Sequence, residues 1–473
     1  MFIVYSATAG FIYGALAMSA AIAFRKIFSK KNLAAIYAER ISRSRAIGID
    51  RKRPDRYRLE LKDEVSLINE RIKTGTYNFT PYKQNLISKG ANSYPRVISI
   101  PTVRDRLALR ALCDLLAEVY PEAVSEIPQI KIERLKEALS CKKYSEYVKI
   151  DLCQFYPSIS HKRLLGVLKR RIRKPELLNL IEKAISTPTV SQIKGGAGAE
   201  KNKIGVPQGL AISNPLAEIF LADVDKVLRA DPEIEYLRYV DDILVLCKPD
   251  SAKKVADKVC SMLESLELKP HRPNDEGSKS EYGTLDAAFD FLGYHVKNRQ
   301  LSIREQSIHK FESSLANIFT SYRHKLLNSK SPADKIRAIE ICRWRLNLRV
   351  TGCIFKGKRL GWVFYFSQIT DTSRLRAVDH TVDRFISRFG LVKEIRPKRT
   401  LKTYYECRRR DKDDHLYIPN FDTLPTDQRR ELLQLLIGKP GISKLSDKRI
   451  NELFEMKISA AVKELEQDLA NAS

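Results

Sequence analysis

The chain has 473 residues, 43% of them hydrophobic and 30% charged, which excludes a disordered tail and leaves room for two or three cores. Its 84 Lys and Arg against 57 Asp and Glu give a formal net charge of +27, an excess that points to a polyanionic partner, nucleic acid before an anionic membrane surface. The eight cysteines form no Cys-x-x-Cys pair, and the seven histidines are scattered without zinc-like spacing, so the thiols read as reduced, buried side chains of a cytoplasmic protein.

Residues 1–24, "MFIVYSATAGFIYGALAMSAAIAF", carry no charge and precede "RKIFSKK". That length suffices to span a bilayer, here the inner membrane, with the following domain on the cytoplasmic side. Two other readings stay open: a helix buried against the main body, and an over-long reading frame whose true start is Met18. Residues 25–89 form a basic helical region. From Arg25 to Arg58 there are twelve Lys or Arg against three acids, with a helix break near "GIDRKRPDR" and a nucleic-acid contact as the expected use. "RLELKDEVSLINERIKTG" has helical spacing and ends at Gly75.

"YPRVISIP" reads as a strand between prolines, and "TVRDRLALRALCDLLAEVY" as a helix. "KIDLC" is a short strand carrying Asp151, "SHKRLLGVLKRRIRK" a basic amphipathic helix, and "KGGAGAEKNKIG" a flexible loop. "SNPLAEIFLADVDKVL" is a helix with Ser213 or Asn214 as its cap and Pro215 in its first turn. After "LRYVDDILVLC" come the helical "SAKKVADKVCSMLESLEL" and the strand-like "FDFLGYHV"; beyond residue 300 the chain turns helical and basic. Helices interleaved with short strands, one hairpin among them, give an α+β core with a helical appendage.

In "LRYVDDILVLC" two β-prone apolar runs flank Asp241 and Asp242, so the pair reads as the turn of a tight hairpin. Asp is a good turn residue, and a solvated tip would explain the pair. Adjacent carboxylates in a partly buried site repel, however, and a divalent cation would neutralise them. Asp151, in "YVKIDLCQFYPSIS", is the candidate third acid. Mg²⁺ takes carboxylate oxygens together with substrate phosphates and water.

With these motifs in view the chain resembles a reverse transcriptase. "KIDLCQFYPSI", "GVPQGLAISNPLAEIFL", "YVDD" and "FLGYHV" resemble the catalytic, nucleotide-positioning, hairpin and primer-grip motifs of that family. "RVISIPTVRDRLALRAL" is similar to the fingers of bacterial enzymes of the retron and group II intron lineage. The resemblance implies a right-hand polymerase fold: fingers and an antiparallel-sheet palm over 90–296, a helical thumb over 297–390, and a basic C-terminal extension over 391–473. It implies that Asp151, Asp241 and Asp242 bind two Mg²⁺ ions, with Mn²⁺ as an alternative. Arg96 would contact the incoming triphosphate, and Gln208 and Gly209 the nucleotide or template. Tyr156, five residues after Asp151, would exclude a 2′-hydroxyl, with Phe155 as the alternative packing ring. Tyr239, Leu292 and Gly293 would support the primer end.

Arg343, Arg345, Arg349, Lys356, Lys358 and Arg359 are expected to track phosphates, with Trp344 and Trp362 in the core. "RWRLNLRVTGCIFKGKRLGWVFYFS" resembles the extensions of bacterial "unknown group" enzymes, many associated with defence against phage. The expected partners are an RNA template, a DNA or RNA primer, deoxynucleotides, a dedicated non-coding RNA and a second copy of the chain. A template-independent or protein-primed DNA polymerase is the alternative within the same chemistry, and a catalytically silent RNA-binding scaffold the alternative outside it.

Overall fold

The computed structural model describes residues 19–88, 94–191, 199–273, 275–409, 417–438 and 441–467. These residues fall into two compact units, one of 19–126 and 143–283, the other of 127–142 and 284–467. The division at Gly283 lies ahead of the primer-grip motif, so "FLGYHV" folds with the C-terminal helices and not with the palm strands.

Strands of the first unit are β1 (Tyr82–Ile87), β2 (Arg96–Ile100), β3 (Glu146–Ile150), β4 (Thr189–Val190), β5 (Ile234–Tyr239), β6 (Asp242–Cys247) and β7 (Glu281–Thr284). The order β2-β1-β4 makes a small sheet, antiparallel between β1 and β2 and parallel between β1 and β4. The order β5-β6-β3-β7 makes a larger one, in which β6 pairs antiparallel with both β5 and β3. Ile243, Leu244, Val245, Leu246 and Cys247 are all fully buried. Covering both faces of β6 explains why its sequence is an unbroken apolar run with no alternation.

Ile243, Val245 and Cys247 share one core with Val148 and Ile150 of β3, Leu216 of the helix Ser213–Arg229 and Val259 of the helix Ala252–Ser265. The helix Ala20–Ile27 buries Ala20, Ala23, Phe24 and Ile27 in that same core. The last residues of the uncharged stretch therefore pack on the body; residues 1–18 lie outside the described residues, as do residues 194–198 of the Gly-rich loop. No helix among the described residues is long and apolar enough to cross a membrane. The helix Val103–Val119 starts at Thr102, whose Oγ1 accepts from the Asp105 backbone N–H. The buried Asp105 carboxylate in turn accepts from the Tyr77 hydroxyl and the Thr80 backbone N–H, tying the helix to the segment that leads into β1.

Strands of the second unit are β8 (Phe289–Phe291), β9 (Tyr294–Lys297) and β10 (Gln300–Ile303), an antiparallel meander, and the hairpin β11 (Cys353–Phe355) and β12 (Lys358–Leu360). The expected helices appear as Glu305–Leu327 and Pro332–Thr351, the second opened by a capping box between Ser331 and Asp334. Trp362 is fully buried and stacks on Phe311 with ring centres 4.3 Å apart, a core residue as expected. The C-terminal extension is not a separate body. Phe421, Leu433, Ile450, Phe454 and Ile458 share a core with Leu348, Cys353 and Phe355, so residues of the thumb and the extension bury each other. All eight thiols are free, and six are buried.

Candidate active site

The end of β3 and the β5–β6 hairpin bring the three aspartates to one edge of the larger sheet. Ile150 pairs with Ile243, so one residue further on Asp151 comes level with Asp242. Directly opposed residues of an antiparallel pair point to the same face. The hairpin is shifted from its expected register. Tyr239 pairs with Asp242, which makes Val240 and Asp241 the two loop residues and places Asp242 inside the ladder. Val240 has φ +57°, at the first loop position, where a type II′ turn normally uses glycine. A β-branched residue there is strained and must be held by its surroundings.

Asp151 is fixed through its backbone. Its N–H donates to Ser280 Oγ at 2.8 Å, and its carbonyl accepts from the His271 N–H at 3.0 Å. Leu152 bridges to Pro270, and the Cys153 N–H donates to the Lys269 carbonyl, so the chain after β3 is held against 269–271. The carboxylate keeps 30% of its surface exposed, with His271 Nε2 3.6 Å from Oδ2. An anchored main chain with an accessible carboxylate suits a metal ligand.

Tyr156 lies in the helical turn Phe155–Ser158, which Gln154 enters at φ +49°. The ring is half-buried and packs on the core, and its hydroxyl donates to Asn214 Oδ1 at 2.5 Å. Burial raises its pKa, and the neighbouring charges of Asp241 and Glu218 raise it further while Arg96 opposes them. Burial, Glu218 and Asp242 push Tyr239 up to about 12. Tyr156, Tyr239, Arg96 and two of the aspartates thus sense one another electrostatically.

Gln208 and Gly209 sit on a loop fastened to β2. The Ser99 N–H donates to the Gln208 carbonyl at 2.7 Å, and Ser213 Oγ donates to the Pro207 carbonyl at 2.6 Å. That second bond explains why Ser213 is not the helix cap: Ile212 takes the capping position without a side-chain bond. Gly209 has φ +98°, and a Cβ there would stand 2.7 Å from Ile98 Cγ2 and 3.0 Å from the Ser99 carbonyl oxygen. Only glycine fits this approach. Arg96, the first residue of β2, is exposed at the end of the β1–β2 hairpin.

Other expected contacts fall elsewhere. Leu292 and Gly293 form the β8–β9 turn, both at positive φ, and both are buried. The Tyr365 hydroxyl donates to the Leu292 carbonyl at 2.9 Å, and Gly293's carbonyl accepts from the Arg304 N–H, so the turn packs inward on the C-terminal unit. Arg349 is 8% exposed and donates to the Glu464 carbonyl, while Arg345 pairs with the Glu464 carboxylate at 3.1 Å and donates to Ser321 Oγ. Arg343 donates to the Glu394 carbonyl, Lys356 pairs with Glu455, and Arg359 donates to the Cys407 carbonyl. These cations staple the C-terminal helices together, where the sequence suggested a phosphate track.

Among the described residues no three His, Cys, Asp or Glu side chains gather into a group that could hold a metal ion unaided. Mg²⁺ does not require one. It is usually held by one or two carboxylates, with waters and substrate phosphates completing the shell. Asp151 level with Asp242, and Asp241 beside them at the tip, supply that kind of donor set.

The pattern of charges and strands does not reveal Arg238, Glu218, Asp225 and Tyr236, which form a buried network directly beneath the hairpin. The one available signal is an arginine next to the end of the largely buried strand "IEYLRY". Burial pulls the Arg238 pKa down, but Glu218 and Asp225 more than reverse this and hold it well above its ordinary value.

Residues 85–296 match the family described as "Reverse transcriptase (RNA-dependent DNA polymerase)". Relatives are distant. The chain is 25% identical over 179 residues to the putative COX1/OXI3 intron 2 protein of Saccharomyces cerevisiae, covering 36% of this chain and 20% of that protein. It is 24% identical over 174 residues to the group II intron-encoded protein LtrA of Lactococcus lactis subsp. cremoris, covering 35% of this chain and 28% of the other. It is 21% identical over 308 residues to protein YkfC of Escherichia coli, covering 55% of this chain and 78% of that one. Among solved structures, telomerase of Candida albicans with a fragment of telomeric RNA aligns over 87% of this chain and 68% of that one, at 13% identity and a TM-score of 0.42. Residues 85–296 are thus similar to a reverse transcriptase domain, with group II intron-encoded proteins among the low-identity relatives, and the chain spans 20% and 28% of the length of the yeast intron protein and LtrA.

Proposed function

We propose that the protein is an RNA-directed DNA polymerase that adds deoxynucleotides to a 3′-hydroxyl, with Asp151, Asp241 and Asp242 holding two Mg²⁺ ions. The observation that carries this reading is the β3–β6 register, which levels Asp151 with Asp242 inside the segment that matches reverse transcriptases. Bound there, a pair of divalent ions would supply Lewis acidity at the attacking hydroxyl and the departing pyrophosphate.

The chain's own groups do the rest. The guanidinium of Arg96, exposed on β2, suits the triphosphate because its planar fork matches phosphate oxygens. The tight, Cβ-free backbone at Gly209 lets the nucleotide or template approach the loop main chain. Tyr156, steadied by Asn214, presents a ring edge that a 2′-hydroxyl would strike. An RNA template, a primer and deoxynucleotides are the partners this chemistry needs. An antiviral setting is supported by the resemblance of residues 343–367 to "unknown group" extensions, and plaque counts on cells with and without the gene test it.

Replacing Asp151 or Asp241 with Ala should abolish incorporation on a primed RNA template while the melting temperature stays level or rises, since one of several repelling carboxylates is removed. Incorporation within a few-fold of the unsubstituted chain would reject the assignment.

A further inference from the structure

We propose that Arg238 is a positioning residue for the metal-binding tip: its buried guanidinium ties the main chain of the hairpin turn to the helix Ser213–Arg229 and so sets where Asp241 and Asp242 stand. The inference rests on the metal reading above.

The contacts use every donor the side chain has. Arg238 Nε donates to Asp225 Oδ1 at 2.7 Å. Nη2 donates to Glu218 Oε2 at 2.6 Å and to Asp225 Oδ2 at 2.5 Å. Nη1 donates to Glu218 Oε1 at 3.2 Å and to the Val240 carbonyl at 2.8 Å. A guanidinium carries five N–H groups, and each has its own acceptor. The side chain is 1% exposed, against 12% for Glu218 and 8% for Asp225. The Tyr236 hydroxyl adds a bond to Asp225 Oδ1 at 2.9 Å.

Four of the five bonds could be ordinary buried ion pairing, which an apolar cluster of the same volume often replaces without loss. The fifth could not. It runs to the carbonyl of Val240, the residue forced to φ +57°, whose peptide leads directly into Asp241. A strained turn persists only where its surroundings over-determine it. Here the surroundings are the core against which the Val240 side chain packs and, at its carbonyl, a guanidinium anchored at its other end to the helix that follows the Gln208–Gly209 loop. The hairpin tip and the nucleotide loop are therefore referred to one helix, and Asp241 inherits its place from the turn that Arg238 holds. Lysine keeps the charge but has three donors and no fork, so it cannot hold both acids and the carbonyl.

Mn²⁺ binding to the full chain, read from the electron paramagnetic resonance signal of free Mn²⁺, tests this without relying on turnover. Backbone hydrogen exchange over residues 239–243 and a thermal melt accompany it. Arg238→Lys and Glu218→Gln should each weaken Mn²⁺ binding by about 10–100-fold, the range for residues that orient metal ligands, and speed exchange at the turn. If Arg238→Lys does not fold, Glu218→Gln decides, because it leaves the Arg238–Asp225 pair in place. A lowered melting temperature with Mn²⁺ affinity within twofold of the unsubstituted chain would overturn the inference and leave a purely structural ion pair. Lost binding in Asp241→Ala beside normal binding in Glu218→Gln would overturn this inference alone. Undiminished binding in Asp241→Ala would overturn the metal reading and this one with it.

Discussion

Tyr156 is held at three points: its ring against the core, its hydroxyl on Asn214, and its backbone carbonyl by the Val206 N–H at 2.8 Å. Its raised pKa keeps the hydroxyl a donor through the whole working range, so the bond to Asn214 does not switch off with pH. A ring fixed this way can discriminate between sugars, because a gate that swings away excludes nothing. Tyr156→Val should lower deoxynucleotide use modestly and raise ribonucleotide incorporation by one or more decades, each about 1.4 kcal/mol in the barrier. Were the ring only packing, the change would cost stability, somewhat less than the roughly 3–5 kcal/mol of a buried aromatic cut to Ala. Use of both nucleotides would then fall together. Single-nucleotide extension with matched dNTP and rNTP, run beside a melt, separates the outcomes. Tyr156 was singled out by the family resemblance, through its place five residues after Asp151. Its partner could not be, because Asn214 at the start of an amphipathic stretch looks like a cap, and only the fold turns the Tyr156 hydroxyl onto it.

Among the elements, the loop from Gly205 to Gly209, the proposed nucleotide loop, has little main-chain freedom. A Cβ at Gly205 would meet the Pro157 carbonyl oxygen at 2.7 Å, and one at Gly209 would meet Ile98 and Ser99. Gly209→Ala combines a left-handed backbone penalty of about 1–3 kcal/mol with displacement of β2. It should lower the melting temperature and raise the KM for nucleotide more than it lowers kcat. A change in kcat alone would argue against β2 as a nucleotide contact. Periodicity located most helices and strands, since burial on one face or both is written into apolar spacing. It failed where a single bond decided the outcome. Ser213 was drawn from its capping place by the Pro207 carbonyl, and the hairpin turn moved by one residue because Asp242 pairs with Tyr239. Turn-prone residues mark a turn only to within the register of the ladder.

For the whole molecule, the charge balance is visible in the sequence but its use is not. A lysine or arginine reads the same whether its neighbour is a phosphate or a carboxylate far along the chain, and Arg345 and Arg349 meet Glu464 more than a hundred residues later. Arg349→Ala should therefore lower stability by about 1–3 kcal/mol, the cost of stranding a buried acceptor. It should leave the slope of log affinity against log salt for RNA unchanged, whereas losing a phosphate contact shifts that slope by about 0.7–0.9. A reduced slope at unaltered stability would return Arg349 to the nucleic-acid surface. The α+β class and the place of Asp241 and Asp242 at a hairpin were legible because their signals are local. The unit boundary at Gly283 and the merging of thumb with extension were not, because both depend on which distant apolar residues meet.

That merging has an evolutionary consequence. Leu348, Cys353 and Phe355 have no core of their own without Phe421, Phe454 and Ile458. A lineage cannot acquire or discard the last stretch as a cassette. Each residue on one side of the seam constrains what mutation can do on the other, so crossovers between distant relatives should survive when they fall before residue 284 and be purged when they fall between 355 and 421.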